Sequence, residues 1–380
     1  MDLVAGRAFA DERRPIRHLD PVLLLVTAGL SVVGLLSIYS STHRSLAVSH
    51  EDPMIYVKKQ LAALVLGILL LLIIATFDYR FFKVYAGFIY GATAVLLVLV
   101  RLPGIGSSAN GAQRWFQFAG FQLTPSEFAK LSLVLILAAM LSELRTPEPL
   151  LPDVLRVCIV SVIPMMLVFI QPDIGTTIVL VAIMVGILVV AGTRSRHLLA
   201  LALTAIVLMA LAFQLGAIQN YQIQRLTGFL DPQNSDSASK YNREQAEIAV
   251  GAGGLFGRGY LQGVQTNLDF VPEQHTDFIF TVVGEEFGFA GAAFVLMLFA
   301  ILIWRAIRIS YLSKDPFGTY VAAGIASMFA IQMFVNIGMV VGIMPITGIP
   351  LPFVSYGGSA MLANFIGAGL LLNVHMRRFK

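Results

Sequence analysis

Long runs of apolar residues, separated by short polar segments, recur along almost the whole chain. A helix needs roughly 17–25 mostly apolar residues to cross a hydrocarbon core of about 30 Å. The pattern therefore predicts an all-α integral membrane protein, a bundle of about ten transmembrane helices. The predicted spans cover residues 22–41, 61–77, 84–100, 126–142, 154–170, 176–192, 198–216, 278–303, 319–343 and 359–376.

The composition favours a bilayer over water as the surroundings of this chain. Of its 380 residues, 57% are hydrophobic and 13% are charged, and the mean hydropathy is +0.80. A soluble domain carries roughly 25% charged residues, so this chain lacks the polar side chains to cover a soluble fold. We therefore expect residues 1–380 to form one polytopic membrane domain. The only cysteine, Cys158, excludes an intrachain disulfide and a cysteine metal site.

The Lys and Arg residues predict the orientation of the bundle. With the N-terminus inside, the cytoplasmic segments hold fifteen of them and the opposite segments nine, four of which lie in the long 217–276 loop. Basic residues accumulate in short cytoplasmic loops, whereas long loops carry little weight. We expect a cytoplasmic tail at 1–20, a cytoplasmic C-terminus and a large extracytoplasmic loop at 217–276. The first apolar run has no cleavage motif after it, which indicates an uncleaved span.

The segments with unusual chemistry all fall on the predicted extracytoplasmic side. They are residues 101–125, the turn Gln171–Gly175, the loop 217–276 and the turn 344–358. A connection of about sixty residues far exceeds the usual 2–8 between packed helices, and such loops are usually functional or disordered. We expect this loop to be largely ordered, because it contains six large apolar or aromatic residues. These are Phe229, Tyr241, Phe256, Tyr260, Leu268 and Phe270.

The carboxylate of Asp277 is the first candidate for chemistry. The segment Pro272–Phe280 leads from the long loop into the eighth predicted span, so Asp277 lies where water meets hydrocarbon. Partial desolvation raises the pKa of a carboxylate toward the range of a useful general base. The alternative is that Asp277 or Thr276 caps the helix, since both residue types are favoured there. On position alone, the cap is the better interpretation.

Glu127 and Lys130 form the second candidate group. They are three residues apart in Pro125–Lys130, so a helix places both side chains on one face. Ionisable groups within a span are costly and often functional, although an ion pair that only fixes helix packing explains them equally well. Just upstream, Arg114 can bind a phosphate and Trp115 can stack on a sugar. An aromatic belt at the membrane surface explains Trp115 equally well.

Other segments carry structural expectations. Asp173, in a tight turn between two spans, is better explained as a turn-capping residue than as a catalytic one. The run Gly251–Gly259 lacks a βαβ context, so it predicts close backbone approach or a bend rather than a nucleotide site. Residues 344–358 are apolar but too rich in Pro and Gly for a regular helix, which predicts a re-entrant or interfacial lining element. Gly284 and Gly288 are expected to be ordinary helix-packing contacts.

Seven motifs, in a fixed order, cover nearly the whole chain. They are Gly111–Trp115, Pro125–Lys130, Gln171–Gly175, Gly251–Gly259, Pro272–Phe280 with Glu285–Glu286, Pro345–Gly358 and Leu362–Asn364. Each alone is weak, but together they resemble the SEDS family of bacterial cell-wall proteins, the group of RodA, FtsW and SpoVE. Within that family, Gly257–Gln265 and Pro272–His275 are more similar to RodA than to FtsW. One departure is Gln122, where some relatives have a basic residue.

The resemblance implies a ten-span peptidoglycan glycosyltransferase of the bacterial plasma membrane that serves cell elongation and shape. Its substrate would be lipid II, a disaccharide-pentapeptide on an undecaprenyl pyrophosphate anchor in the outer leaflet. Asp277 matches the family's essential carboxylate, which reverses the preference for a cap. The resemblance also implies substrate-binding roles for Arg114, Trp115, Glu127, Lys130, His275 and Ser355.

The resemblance further implies cofactors and partners. A divalent cation, Mg²⁺ or Mn²⁺, is expected, with Asp277 and Glu127 as candidate ligands, and no nucleotide is expected. The expected partners are lipid II, membrane lipid and a class B penicillin-binding protein, which is a transpeptidase. The pI of 9.2 does not indicate nucleic acid, because the charges form short clusters between apolar runs rather than a patch.

The expected reaction joins the 4-hydroxyl of an acceptor GlcNAc to the anomeric carbon of a donor MurNAc and releases undecaprenyl pyrophosphate. The donor linkage is α and the product linkage β, so the family's reaction inverts configuration. A single displacement needs one base and a stabilised leaving group rather than a nucleophilic carboxylate. We assign Asp277 as the base. Arg114, Lys130 or a divalent cation would neutralise the pyrophosphate, and Glu127 would hold Lys130 or help ligate the metal.

Two other functions compete with a polymerase. A lipid II flippase would explain intramembrane charges such as Glu127 and Lys130. A flippase, however, needs polar groups along a route across the membrane, often within inverted repeats, whereas here the polar features gather on one side. The second alternative is a non-catalytic scaffold for a transpeptidase. Polymer formation from lipid II alone separates a polymerase from a scaffold.

Overall fold

The computed structural model is an α-helical bundle with one small β-sheet. It describes residues 18–378 apart from 103–105, 110–111, 119–120, 145, 147 and 215–236. The helices are α1 Pro21–Val48, α2 Ile55–Thr76, α3 Tyr79–Leu99, α4 Pro125–Ser142, α5 Leu151–Ile170, α6 Ile174–Val190, α7 Ser195–Gln214, α8 Ser237–Ala252, α9 Val264–Asn267, α10 Ile279–Leu312, α11 Pro316–Val340 and α12 Gly358–Met376. The strands are β1 Ser107–Ala109, β2 Ala112–Phe118 and β3 Phe121–Leu123.

Within these residues, ten apolar helices correspond to the ten predicted spans. Eight of them are long and apolar enough to cross a membrane, and Ile174–Val190 and Ser195–Val207 are shorter apolar helices. The prediction of an all-α multi-pass membrane bundle is therefore confirmed. The eighth span is longer than predicted, since α10 continues to Leu312 rather than ending near residue 303.

Local chemistry sets where several helices begin. Asp20 caps α1, because its carboxylate accepts hydrogen bonds from the amides of Val22 and Leu23. Asp315 caps α11 in the same way, through the amide of Gly318 at 2.8 Å. Both Asp residues are followed by proline at the first helical position. Proline suits that position because its missing N–H would have had no partner within the helix.

The core of the bundle lies around α12. In the most apolar 18-residue stretch of α12, 94% of the residues are buried, whereas in the corresponding stretch of α3 only 17% are buried. Helix α12 packs against α2, α4 and α11. Its closest approach to α2 occurs at two glycines: a Cβ on Gly67 would lie 2.9 Å from Phe365, and one on Gly369 would lie 3.0 Å from the Cα of Leu71. Small residues that let helix backbones approach closely are typical of membrane bundles.

Helix α10 is broken at Gly288, where φ is +64°. The amide of Phe289 donates to the carbonyl of Gly254 at 2.9 Å, and the amide of Ala290 donates to that of Leu255 at 3.0 Å. The glycine-rich run therefore supplies hydrogen-bond partners that a continuous helix would have provided itself. Non-helical backbone at membrane depth requires such internal partners.

The glycines at this break are required by close contact. A Cβ on Gly253 would lie 1.9 Å from the carbonyl oxygen of Gly284, and one on Gly257 would lie 2.0 Å from that of Glu286. The predicted close backbone approach within Gly251–Gly259 is confirmed. The expectation for Gly288 is wrong, because this glycine ends one helical segment rather than making an ordinary helix contact.

The long loop is ordered where it is described, but not for the predicted reason. Residues 237–276 contain α8, the glycine-rich turn and α9, whereas Phe229 lies outside the described residues. Of the residues on which the prediction rested, Phe256, Leu268, Tyr241 and Phe270 are exposed, at 84%, 52%, 42% and 39%, so their packing does not order this segment. Instead, the carboxylate of Glu285 accepts hydrogen bonds from the amides of Gln265 and Thr266, at 2.8 and 3.0 Å. Buried carboxylates organise the loop.

The three short strands form an antiparallel sheet in the order β1-β2-β3, which the all-α prediction did not include. Strands β1 and β3 have three residues each and are too short to give a readable alternation, which leaves only the seven residues of β2 as a signal. The sheet contacts the start of α12: the hydroxyl of Ser359 accepts from the amide of Thr124 at 2.9 Å and donates to the carbonyl of Gln122 at 2.7 Å. Phe121 packs against Gly358.

Candidate active site

The segments that carry the sequence motifs meet at one end of the bundle. The amide of Tyr356 donates to the carbonyl of His275 at 2.9 Å. A Cβ on Gly175 would lie 2.9 Å from the carbonyl oxygen of Thr347, and the side chain of Arg114 donates to the carbonyl of Gln171. The four segments were predicted to share one side, and this is confirmed. We call this end the Asp277 end, and the opposite end, where α1 begins, the Asp20 end.

Asp277 is half-buried in the turn that precedes α10. The N-cap position of α10 is occupied by Phe278, so the capping interpretation of Asp277 and Thr276 is wrong. The hydroxyl of Thr276 donates to the carbonyl of Glu273 at 3.0 Å. The Asp277 carboxylate lies beside Gly348: a Cβ on that glycine would be 3.1 Å from Oδ2. The carboxylate is thus held at a junction of loop and turn.

The segment 344–357 is non-helical, and its residues are buried or half-buried, as predicted for a lining element. The amide of Leu351 donates to the Oγ of Ser355 at 2.8 Å. Gln60 of α2 closes the turn from outside, donating to the carbonyl of Ser355 at 3.1 Å and accepting from the amide of Gly357 at 3.1 Å. Ser355 is 4% exposed, so the structure places it within the packing of the turn, and its contact with substrate stays a prediction.

Three rings cluster around His275, two residues before Asp277. The ring of Tyr56 lies 4.9 Å from that of His275 and 5.0 Å from that of Tyr356, and the latter two are 5.5 Å apart. Burial lowers the pKa of His275 below its ordinary value, and the nearby carboxylates of Glu273 and Asp269 oppose that shift. With a neutral imidazole, His275 and the two tyrosine rings together form a mostly apolar surface with polar groups at its edge.

Arg114 does not point freely into solvent as a phosphate ligand. Its Nε donates to the carbonyl of Gln171 at 2.8 Å, and its Nη2 donates to that of Pro172. These carbonyls follow the end of α5, where a cation is favoured by the helix dipole. Two nitrogens of the guanidinium are therefore used to hold the turn beside Thr347. Trp115, next along β2, is half-buried.

Glu127 and Lys130 form an ion pair in the first turn of α4. The Lys130 Nζ lies 2.7 Å from the Glu127 Oε2, and the side chains of Lys130 and Glu127 are 2% and 8% exposed. The prediction that both share one helix face is confirmed. A buried pair of this kind is costly to break, because each charge loses its compensation.

Asp173 is a capping residue, as the sequence predicted. It occupies the N-cap of α6 and accepts from the amide of Thr176 at 3.0 Å and from its hydroxyl at 2.8 Å. It therefore holds the Gln171–Gly175 turn.

Sequence reasoning missed several polar residues that build this end. Asn336 of α11 donates to the carbonyls of Asp277 and Ile349, at 2.8 and 2.7 Å. Gln171 donates to the carbonyl of Leu97 at 2.9 Å. The available signal was a buried amide side chain inside an apolar run, which is rare and often functional in membranes.

The expected metal site finds little support in the donor set. Among the described residues, no group of three or more His, Cys, Asp or Glu side chains is placed to hold a metal ion. Glu127, one of the two candidate ligands, is paired with Lys130. Divalent cations such as Mg²⁺ take several oxygen ligands, more than these two carboxylates supply, and their role as metal ligands stays a prediction.

The family profile described as "Cell cycle protein", which covers FtsW, RodA and SpoVE, matches residues 21–380. A probable peptidoglycan glycosyltransferase FtsW from Trichlorobacter lovleyi is 36% identical, over 95% of this chain and 95% of that protein. Stage V sporulation protein E from Bacillus subtilis is 36% identical over 93% of this chain and 96% of its own length. The peptidoglycan glycosyltransferase MrdB of Escherichia coli is 34% identical, over 95% and 94%.

Solved structures agree with these relatives. A chain from work described as "Structural coordination of polymerization and crosslinking by a peptidoglycan synthase complex" superposes with a TM-score of 0.80 at 30% identity, covering 95% of this chain and 99% of that one. The rod shape determining protein RodA of Thermus thermophilus superposes with a TM-score of 0.70 at 29% identity, over 95% and 98%. The sequence match, the superpositions and the shared end of the motif segments agree: this chain belongs to the FtsW, RodA and SpoVE family, the SEDS family.

Proposed function

We propose that this chain is a peptidoglycan glycosyltransferase that polymerises lipid II into glycan strands. The observation that carries the proposal is the setting of Asp277, a half-buried carboxylate between the turn before α10 and the turn at Gly348. Relatives of nearly the same length are named peptidoglycan glycosyltransferases. Membership of one family over the full bundle supports the transfer of that activity.

The proposed orientation places the Asp277 end outside the cytoplasm. The uneven distribution of Lys and Arg supports cytoplasmic termini in the bacterial plasma membrane. The Asp277 end would then face the outer leaflet, where the lipid II anchor lies.

In the proposed reaction, Asp277 is the general base. The oxygen of the acceptor 4-hydroxyl attacks the anomeric carbon of the donor as the bond from that carbon to the pyrophosphate oxygen breaks. The hydroxyl proton passes to the Asp277 carboxylate, and the configuration inverts. General-base assistance of this kind contributes about 10²–10⁴-fold to rate.

The departing pyrophosphate needs positive charge nearby. The contacts of Arg114 and Lys130 modify the roles that the sequence predicted for these two cations. Arg114 holds the carbonyls after α5, so we propose that it positions the turn at Gly175 and acts on the anion at longer range. Lys130 keeps its proposed role, with Glu127 holding the ammonium in place. A preorganised charge near low dielectric is effective because it needs no reorganisation during reaction.

The remaining proposals concern sugars, cation and partner. Trp115 and the ring of His275 would contact the sugars. The expected Mg²⁺ or Mn²⁺ would take most of its ligands from the substrate pyrophosphate, since the chain supplies few. A solved chain similar to this one comes from a complex that couples polymerisation with crosslinking, which supports a transpeptidase of the class B penicillin-binding type as partner.

A role in cell elongation, as for RodA, is proposed from two motifs, Gly257–Gln265 and Pro272–His275. The named relatives of FtsW, SpoVE and MrdB type are 36%, 36% and 34% identical, so overall similarity does not favour one role. Restoration of rod shape in a strain depleted of its own RodA would support the elongation role. Rescue of septation in an FtsW-depleted strain, without rescue of shape, would contradict it.

The activity is tested with purified Asp277→Asn and Asp173→Asn proteins and lipid II. Asp277→Asn removes the base, so we expect polymer formation to fall about 10²-fold or more. Asp173→Asn is the matched control at the same end, because Asn also caps helices well, and we expect it to polymerise at nearly the wild-type rate.

Wild-type turnover by Asp277→Asn would contradict the base assignment. An absence of polymer from the wild-type protein, with lipid II translocation in sealed vesicles, would favour the flippase. An absence of both activities, with binding to a transpeptidase, would favour the scaffold.

A further inference from the structure

One buried amide joins the two segments between which the Asp277 carboxylate lies. Asn336, on α11, is fully buried. Its Nδ2 donates to the carbonyl of Asp277 at 2.8 Å and to the carbonyl of Ile349 at 2.7 Å. Both carbonyls belong to non-helical backbone. A single side-chain nitrogen thus fixes the turn before α10 and the turn after α11 to one helix.

This connection bears on the position of the carboxylate. Gly348, next to Ile349, is the residue beside Asp277 Oδ2. Because both N–H bonds of the Asn336 amide are used, a movement of either turn breaks a buried hydrogen bond. Asn336 therefore helps to set the distance between the Asp277 backbone and the turn at Gly348. Groups in an active site must be held to within a fraction of an ångström to react efficiently.

The oxygen of the Asn336 amide gives a second observation. The Oδ1 of Asn336 is buried and has no hydrogen-bond partner in the part of the chain that is described. A buried acceptor without a partner is costly, so packing alone does not favour asparagine here. Locally unfavourable choices concentrate at functional sites.

We propose that Asn336 is a positioning residue for the reaction, holding Asp277 at the reacting hydroxyl. This inference rests on the proposed function of Asp277 and deepens it. Asn336 itself does not touch substrate; it acts through the backbone on either side of the carboxylate. Its loss would lower turnover while leaving the affinity for lipid II nearly unchanged.

The chain provides a matched control for this residue. Asn373 of α12 is also fully buried, and its Nδ2 also donates to two carbonyls, those of Ile74 and Phe77. This second bridge joins α12 to the connection between α2 and α3, at the Asp20 end. The two asparagines therefore share burial and the pattern of donated hydrogen bonds, but lie at opposite ends of the bundle. They differ at the acceptor, since the Oδ1 of Asn373 also accepts a hydrogen bond from Arg377.

The test compares Asn336→Ala and Asn373→Ala in lipid II polymerisation, with kcat, KM and thermal stability measured for each. We expect both variants to lose stability. We expect only Asn336→Ala to lose kcat, by about 10–100-fold, with KM within about twofold of wild type, since misplacement of about 1 Å has effects of that size. In an Asp277→Asn background, Asn336→Ala should change the residual rate less than about twofold, because the group it positions is gone.

Three results would overturn the proposal. The first is wild-type kcat for Asn336→Ala while Asp277→Asn is inactive, which leaves the proposed base intact and removes only the positioning role. The second is an equal loss of kcat in Asn373→Ala, which marks a general effect of weakened packing. The third is full activity of Asp277→Asn, which removes the base itself. If Asn336→Ala does not fold, Asn336→Ser, which keeps one donor, is measured instead and should give an intermediate kcat.

Discussion

The two ends of the bundle use similar polar side chains for different purposes. At the Asp20 end, charged groups join helices directly, as in the pair of Arg305 on α10 with Asp20 before α1, whose side chains are 13% and 0% exposed. At the Asp277 end, Glu285 and Asn336 instead hold backbone groups of loops and turns. Polar side chains join helices and the short α2–α3 connection at one end, and hold longer irregular segments at the other.

Backbone conformation shows the same difference. Among the described residues, six non-glycine residues have positive φ, and all six lie at the Asp277 end. They are His50, Pro172, Leu261, Asp269, Glu273 and Phe353. Such conformations persist only where the surroundings hold them, and they concentrate at functional sites. The comparison indicates that the Asp20 end mainly stabilises the bundle, whereas the Asp277 end holds backbone in conformations that are locally unfavourable.

The largest expected effect comes from breaking one buried ion pair at each end. Lys130→Met should lower the free energy of unfolding by about 3–5 kcal/mol, because it leaves the buried Glu127 carboxylate without its partner. Arg305→Met should cost less, because the Asp20 carboxylate keeps its hydrogen bonds from the amides of Val22 and Leu23. Only Lys130→Met should also lower polymerisation per folded molecule, by about 10²-fold. Thermal denaturation and lipid II turnover check both statements. Equal loss of turnover in the two variants would remove the functional distinction between the ends.

A smaller effect is expected from two glycines of similar φ. Gly348 has φ +72° and lies beside the Asp277 carboxylate, whereas Gly192 has φ +78°, lies at the Asp20 end and has open space where a Cβ would point. Alanine should cost about 1–2 kcal/mol of backbone strain at either position. Only Gly348→Ala should reduce kcat, by about tenfold. An unchanged kcat would show that the carboxylate is not confined by this turn.

The smallest effect concerns pH. The desolvated ring of His275 has a pKa below its ordinary value, so the unfolded chain binds more protons than the folded chain around pH 6. The free energy of unfolding should therefore fall as pH decreases from about 6.5 through the folded pKa. His275→Gln should flatten that decrease in a series of thermal melts. An identical pH slope in the variant would assign the decrease to other groups.

Much of the bundle was predictable, because a bilayer imposes a simple constraint on length and polarity. Each of the ten apolar runs is a helix, and the motif segments share one end. The break at Gly288 was not predictable from periodicity, since an apolar sequence continues through it. The hydrogen bonds that make the break acceptable come from Gly254 and Leu255, which are more than thirty residues away in the sequence.

The candidate site was predictable in its residues but less so in their bonding. Glu127 and Lys130 were expected on one face, and they are paired. Arg114 was expected to meet a phosphate, but carbonyls that follow α5 hold it instead. Asp277 was first explained as a cap, because position along the chain does not reveal that Phe278 takes that place. Residue types indicate what chemistry is available, whereas partners depend on contacts between distant segments.

The break in α10 has a consequence for how this membrane protein folds. The amides that follow the break in α10 donate to carbonyls of the turn at Gly254. These amides therefore lack their partners until the loop has packed against the helix. We therefore expect insertion of the helix and closure of the loop to be coupled. The loop that leads to the reactive carboxylate would acquire its shape together with the membrane helix.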